Sequence, residues 1–110
     1  MNAKNASSRP AASPDRLSAM AAFVRVVEAG SFSRAARDLG VAQPTVSKQI
    51  AALEARYAVR LLERTTRRVR PTDDGRAFYL HAKNLLAEFD DLEAAARRSA
   101  RAPGGKLRLS

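Results

Sequence analysis

At 110 residues, 45% of them hydrophobic, the chain is long enough for one modest core with polar ends. Its 20 Lys and Arg against 11 Asp and Glu give +9 at pH 7, which points to an acidic polymer or surface as partner without saying which. The lack of cysteine and the single histidine, His81, exclude a disulfide framework and a zinc cluster, and no stretch approaches the ~20 apolar residues a bilayer span needs.

Residues 1–14 are Ala-, Ser- and Asn-rich without periodic hydrophobes and are expected to form a disordered arm, with structure starting near Pro14 or Asp15. A first amphipathic helix is predicted from Leu17, Met20, Val24 and Val27, spaced three and four apart, with Phe23 widening the stripe and Gly30 ending it. Ser31 is a good amino-cap for a short second helix carrying Phe32, Ala35, Ala36 and Leu39 and closed by Gly40. After a turn through Val41 and Ala42, a third helix over 43–57 should bury Val46, Ile50 and Leu53 and turn Thr45, Lys48, Gln49 and Arg56 away from them. Two helices joined by a tight turn, with small Ala at their contact, make a helix-turn-helix.

Val59 to Leu62 and Arg68 to Arg70 flank Thr65, Thr66 and Arg67, which reads as a small hairpin closed by Pro71, a candidate wing. Thr72 can cap the following helix, whose first turn carries Asp73 and Asp74 where negative charge meets the positive helix end. That helix, 73–101, is too long for a small core to cover and must project. Along it Phe78, Ala82, Leu85, Phe89, Leu92 and Ala96 form a heptad seam that calls for a partner helix. Residues 102–110 alternate Leu107 and Leu109 with charged neighbours, as the first strand of a further domain would, so the chain reads as the amino-terminal piece of a longer protein.

The stretches Phe23-Val-Arg-Val-Val-Glu-Ala-Gly-Ser-Phe-Ser-Arg-Ala-Ala36, Gln43-Pro-Thr-Val-Ser-Lys-Gln-Ile50, Leu53-Glu54 and Arg64-Thr-Thr-Arg67, in this order, closely resemble the LysR-type transcriptional regulators. The resemblance implies a mainly α fold: a winged helix-turn-helix over 15–72, then a long dimerisation linker helix. It also implies a bacterial, cytoplasmic regulator that reads an interrupted dyad operator in double-stranded DNA as a homodimer, tetrameric at full length. A small-molecule effector would bind in a separate domain, and no cofactor is expected in this stretch. Ala42 stands where the family commonly has a Ser or Thr cap, Ala58 where Gly is common, and Leu62 where Phe is common. Ala42 should cost about 1 kcal/mol of capping unless Gln43 and Pro44 in the first turn take over.

A major groove admits one helix and is read by side chains near its amino end, so Gln43, Pro44, Thr45, Lys48 and Gln49 are the base-contact candidates. Gln suits adenine, Lys guanine, and Pro44 a thymine methyl. Ser31, Ser33, Arg34, Ser47, Arg64, Thr65, Thr66, Arg67 and Arg68 are candidates for the DNA backbone and wing, where contacts position without specifying. A wing arginine could instead enter a narrow minor groove, and Arg64 could be structural, paired with Glu54. Phe78 and Ala82 are equally suited to the core and to a dimer contact, whereas Leu85, Phe89 and Leu92 lie beyond the domain. Arg97, Arg98 and Arg101 are solvent or effector-domain contacts, and His81 is given no role.

A non-specific architectural or RNA-binding protein would use the same charge, but the 2 Tyr and 4 Phe do not cluster with the wing arginines as a stacking platform would. An enzyme is not expected. The adjacent acids, Asp73 with Asp74 and Asp90 with Asp91, fall on helix surfaces without a nucleophile or metal set. A pure interaction module would leave the helix-turn-helix spacing unexplained.

Overall fold

The computed structural model describes residues 12–65 and 68–101. In chain order these form α1 (Ala12–Ala29), α2 (Phe32–Leu39), α3 (Gln43–Tyr57), β1 (Leu62–Arg64), β2 (Val69–Pro71) and α4 (Asp73–Arg101), a three-helix core with a hairpin wing and a long final helix. The expectations for residues 1–11 and 102–110, and for Thr66 and Arg67, lie outside the described residues.

Helix α1 starts at Ala12, ahead of the expected start at Pro14 or Asp15. A proline in the first turn costs little, because its missing N–H would have no partner there. The buried stripe of α1 is also rotated from the expected one. Ala19, Ala22, Phe23 and Val26 are buried, while Leu17, Met20, Val24 and Val27 are only half-buried. The reason is that α1 packs against α2, α3 and α4 together, so the face it buries is the one those three helices share, with Phe23 and Val26 filling it and Ala19 and Ala22 allowing close approach.

Ser31 caps α2 as expected, its hydroxyl accepting the Arg34 N–H at 3.2 Å. Gly40 ends α2 at φ 71°, a left-handed conformation that glycine adopts without steric cost, and the Val41 N–H returns to the Ala36 carbonyl at 3.0 Å. Helix α3 buries Val46, Ile50 and Leu53 as its period predicts. With Phe23, Val26, Leu61 and Leu62 they form the centre of the core, each large side chain stabilising by about 1.5–3 kcal/mol on burial.

The wing strands pair antiparallel with Leu62 opposite Pro71, Glu63 opposite Arg70 and Arg64 opposite Val69. Strand β1 begins at Leu62, not at Val59, because the carboxylate of Glu54 takes up the backbone first: its Oε2 accepts the N–H groups of Leu61 at 2.9 Å and Leu62 at 3.2 Å.

Thr72 caps α4, its Oγ1 accepting the Gly75 N–H at 2.9 Å while donating to the Arg60 carbonyl at 2.6 Å. Gly75 lies so close to the Leu61 backbone that a Cβ there would collide with the Leu61 carbonyl. One turn on, the Phe78 ring meets Phe23 edge-on at 5.5 Å and Tyr57 at 5.8 Å, joining α4 to α1 and α3. The root of α4 is further tied by Tyr79, whose hydroxyl donates to Glu28 at 2.8 Å, with Lys83 3.5 Å from the same carboxylate. The hydrogen bond from Tyr79, opposed by partial burial and aided by the charges of Arg25 and Lys83, holds the Glu28 carboxyl below its ordinary pKa. The Tyr79 hydroxyl and then Glu28 raise the pKa of Lys83.

Past Lys83 the helix is largely exposed. Its 29 residues span about 44 Å at 1.5 Å each, and of the seam Ala82 is buried and Phe78 half-buried, while Leu85, Phe89, Leu92 and Ala96 are exposed. Among the described residues no helix is long and apolar enough to cross a membrane, and no group of three or more His, Cys, Asp or Glu could hold a metal ion.

Candidate nucleic-acid interface

Helix α3 starts without a side-chain cap. Ala42 is in an extended conformation, and its carbonyl accepts the N–H groups of Thr45 at 3.0 Å and Val46 at 3.4 Å. Pro44 in the first turn has no N–H to satisfy, which lowers the cost of the missing cap. What this turn presents outward is Gln43, Pro44 and Thr45, followed one turn later by Lys48, all exposed on the side away from the buried stripe. Gln49 differs from the other candidates. It is half-buried and lines a shallow groove with Ser18, Ala21, Leu39 and Val41, so its reach to a ligand is limited to one flank of the helix.

The expected backbone contacts divide into committed and available groups. The Ser31 hydroxyl is taken up by the α2 cap and lies 3.1 Å from the Ser33 hydroxyl, whereas Ser33 and Arg34 are exposed. Ser47 is half-buried on the opposite flank of α3 from Gln49. Arg64 reaches back over the Phe32 ring, its guanidinium carbon 5.0 Å from the ring centroid and one nitrogen 4.0 Å from the Glu54 carboxylate. That contact fixes the wing base against the start of α2, a structural duty beside any contact with a ligand. Thr65 and Arg68 stitch the wing turn together: the Thr65 hydroxyl accepts the Arg68 N–H at 2.9 Å and donates to its carbonyl at 3.1 Å. This leaves the Arg68 side chain exposed at the wing.

Three residues position this surface: Glu54 and Ala58, which the sequence singled out for other reasons, and Gly75, which it did not. Glu54 anchors β1 to the back of α3, Gly75 lets α4 press on Leu61, and Ala58 ends α3 in a left-handed conformation at φ 53°. For Ala58 the signal was its standing where the family commonly has Gly, the residue that takes a left-handed conformation without steric cost. The chemistry on offer is recognition: hydrogen-bonding and apolar groups stand exposed at one helix end, and Arg34, Arg56, Arg60, Arg68 and Arg70 are exposed cations elsewhere on the domain.

Residues 17–76 match the family model described as bacterial regulatory helix-turn-helix protein, lysR family. The chain is 47% identical over 95 residues to an HTH-type transcriptional repressor of Pseudomonas aeruginosa (strain UCBPP-PA14), covering 86% of this chain and 30% of that protein. It is 38% identical over 87 residues to the nitrogen assimilation regulatory protein nac of Escherichia coli (strain K12), covering 79% and 28% respectively. The chain thus spans under a third of the length of these curated relatives. Among solved structures, the BenM DNA-binding domain in complex with catB site 1 DNA superimposes with a TM-score of 0.76 at 40% identity, over 79% of this chain and 97% of that one. The DNA complex of the CbnR DNA-binding domain gives 0.72 at 36%, over 77% and 98%.

Proposed function

The chain belongs to the lysR family of bacterial regulatory helix-turn-helix proteins, and from that membership we propose that it reads double-stranded DNA at promoter operators as a dimer. The observation that carries the reading is the amino end of α3. Gln43, Pro44, Thr45 and Lys48 stand exposed together while Val46, Ile50 and Leu53 anchor the opposite side in the core. A helix held this way can insert its first turns into a major groove, where those side chains meet base edges.

In this account Gln43, Pro44, Thr45 and Lys48 carry sequence discrimination, with Gln49 contributing from the flank. Ser33, Arg34, Ser47 and Arg68 position the domain on phosphates, together with Thr65, Thr66 and Arg67. Ser31 and Arg64 act chiefly through the scaffold, as the α2 cap and the wing brace.

The dimer is proposed to form along α4. Leu85, Phe89 and Leu92 are 46%, 36% and 42% exposed, a line of large apolar side chains that a second helix would cover. Two α3 helices related by a two-fold axis would then read two half-sites, with α4 setting the distance between them. In a full-length relative-sized protein a small-molecule effector bound elsewhere would act on DNA through the same helix, by changing how the two domains are held.

The test is selection of the purified chain on a random duplex library at near-physiological salt. The proposal predicts enrichment of an interrupted inverted repeat. Binding without an enriched motif, lost steeply as salt rises, would replace it with non-specific charge-driven association.

A further inference from the structure

We infer that Glu28, Tyr79 and Lys83 form a latch that fixes the angle at which α4 leaves the domain, and through that angle the half-site spacing a dimer accepts. The inference rests on the DNA-reading dimer proposed above.

The root of α4 is packed over its first three turns, by Gly75 against the Leu61 backbone, by Phe78 between Phe23 and Tyr57 and by the buried Ala82. These apolar contacts are non-directional and set where the helix sits more firmly than its sideways angle. The directed bonds beside them are those of the latch. The Tyr79 hydroxyl donates to Glu28 Oε2 at 2.8 Å and accepts from Lys83 Nζ at 3.4 Å, and Lys83 Nζ lies 3.5 Å from that same carboxylate oxygen. Lys83 also stands 5.6 Å over the Tyr79 ring. Glu28 is held in turn by Arg25 at 3.0 Å, whose Nε is 3.6 Å from Asp38 on α2. Five side chains thereby run from α4 across the end of α1 to the first helix of the helix-turn-helix.

Exposed polar pairs of this kind contribute little to global stability, so their consequence here is directional. From Tyr79 to Leu92 is about 20 Å at 1.5 Å per residue, and a tilt of about 10° at the latch displaces Leu92 by about 3.4 Å, the rise of about one base pair. A small freedom at Tyr79 therefore becomes a whole step of half-site spacing at the seam.

The experiment uses the full 110-residue chain, wild type and Tyr79→Phe. The probes are the duplex the wild type enriches from a random library, versions of it lengthened or shortened at the centre by one and two base pairs, and a duplex with a single half-site. The wild type should lose about tenfold or more in affinity for a one-base-pair change. Tyr79→Phe should lose about threefold or less, while binding the single half-site within about twofold of wild type. A Glu28→Gln chain, whose side-chain carbonyl still accepts from the phenol but no longer pairs with Lys83 and Arg25, should give a profile between those of wild type and Tyr79→Phe. A Tyr79→Phe profile as steep as wild type would overturn the latch while leaving the DNA-reading proposal intact. So would an equal affinity loss by Tyr79→Phe on every probe including the single half-site, or a Glu28→Gln profile as flat as that of Tyr79→Phe. Failure of the wild type to enrich any duplex would overturn the DNA-reading proposal itself, and the latch with it.

Discussion

The Glu54 carboxylate on α3 accepts the backbone N–H of Leu61 at 2.9 Å, so the helix proposed to read DNA also determines where the wing begins. The same oxygen takes the Leu62 N–H, and both leucines are fully buried. Replacing Glu54 by Ala would strand two donors in a part-buried setting. The expected loss is about 2 kcal/mol or more, read as a lower denaturant midpoint at unchanged slope, and Glu54→Gln, which keeps an acceptor, should lose less. Equal midpoints for wild type and Glu54→Ala would show that water replaces the carboxylate at no cost.

Ala58 closes α3 at φ 53°, where an L side chain costs about 1–2 kcal/mol relative to the right-handed region. Glycine would remove that strain and return part of the gain as unfolded-chain entropy. Ala58→Gly should therefore stabilise the domain by about 0.5–1 kcal/mol, a rise of a few degrees in Tm by calorimetry. A lower Tm would contradict the strain argument.

The exposed seam makes a separate prediction. Glu at both Leu85 and Phe89 would place charges on the line proposed to meet a second helix, yet disturb no buried contact of the domain. Sedimentation should then report a folded monomer at concentrations where the wild type dimerises. A dimer of undiminished affinity would place the interface elsewhere.

Glu28 has a folded pKa below its unfolded one, so its contribution favours the folded state above the ordinary carboxylate pKa and is lost as pH falls through the lower folded value. Wild type should therefore exceed Glu28→Gln in stability near neutral pH, and the gap should close in the acid range. The raised pKa of Lys83 acts in the other direction, its contribution being present at neutral pH and lost only in strongly alkaline solution. A stability difference that stays constant from pH 7 down to about pH 3 would remove Glu28 from the ion pairs.

Much of the fold could be read along the chain because its signals are local. The three- and four-residue spacing of Val46, Ile50 and Leu53, the Ser31 and Thr72 caps and the Gly40 turn each act within a few residues of themselves. The latch could not be read that way, since Tyr79 and Glu28 lie 51 residues apart and meet only once α4 docks on α1. Gly75 carries no turn signal. Its smallness is required by the Leu61 backbone, which arrives from another part of the chain. The stripe of α1 was misplaced because apolar residues occupy most of its circumference, so periodicity alone does not choose among faces. Gln49 illustrates the corresponding limit for the site: its polarity marks it as outward-facing, but Leu39 at the end of α2 and Val41 in the turn line the groove beside it.

The most direct test of the central claim, that the amino end of α3 reads base edges, is equilibrium binding of Gln43→Ala to the enriched duplex and to a random duplex of equal length. Gln43 is exposed and uncharged, so its removal leaves the electrostatic attraction to DNA unchanged. The account predicts a loss of about 1–3 kcal/mol on the enriched duplex and almost none on the random one. Equal losses on both, or none on either, would contradict it.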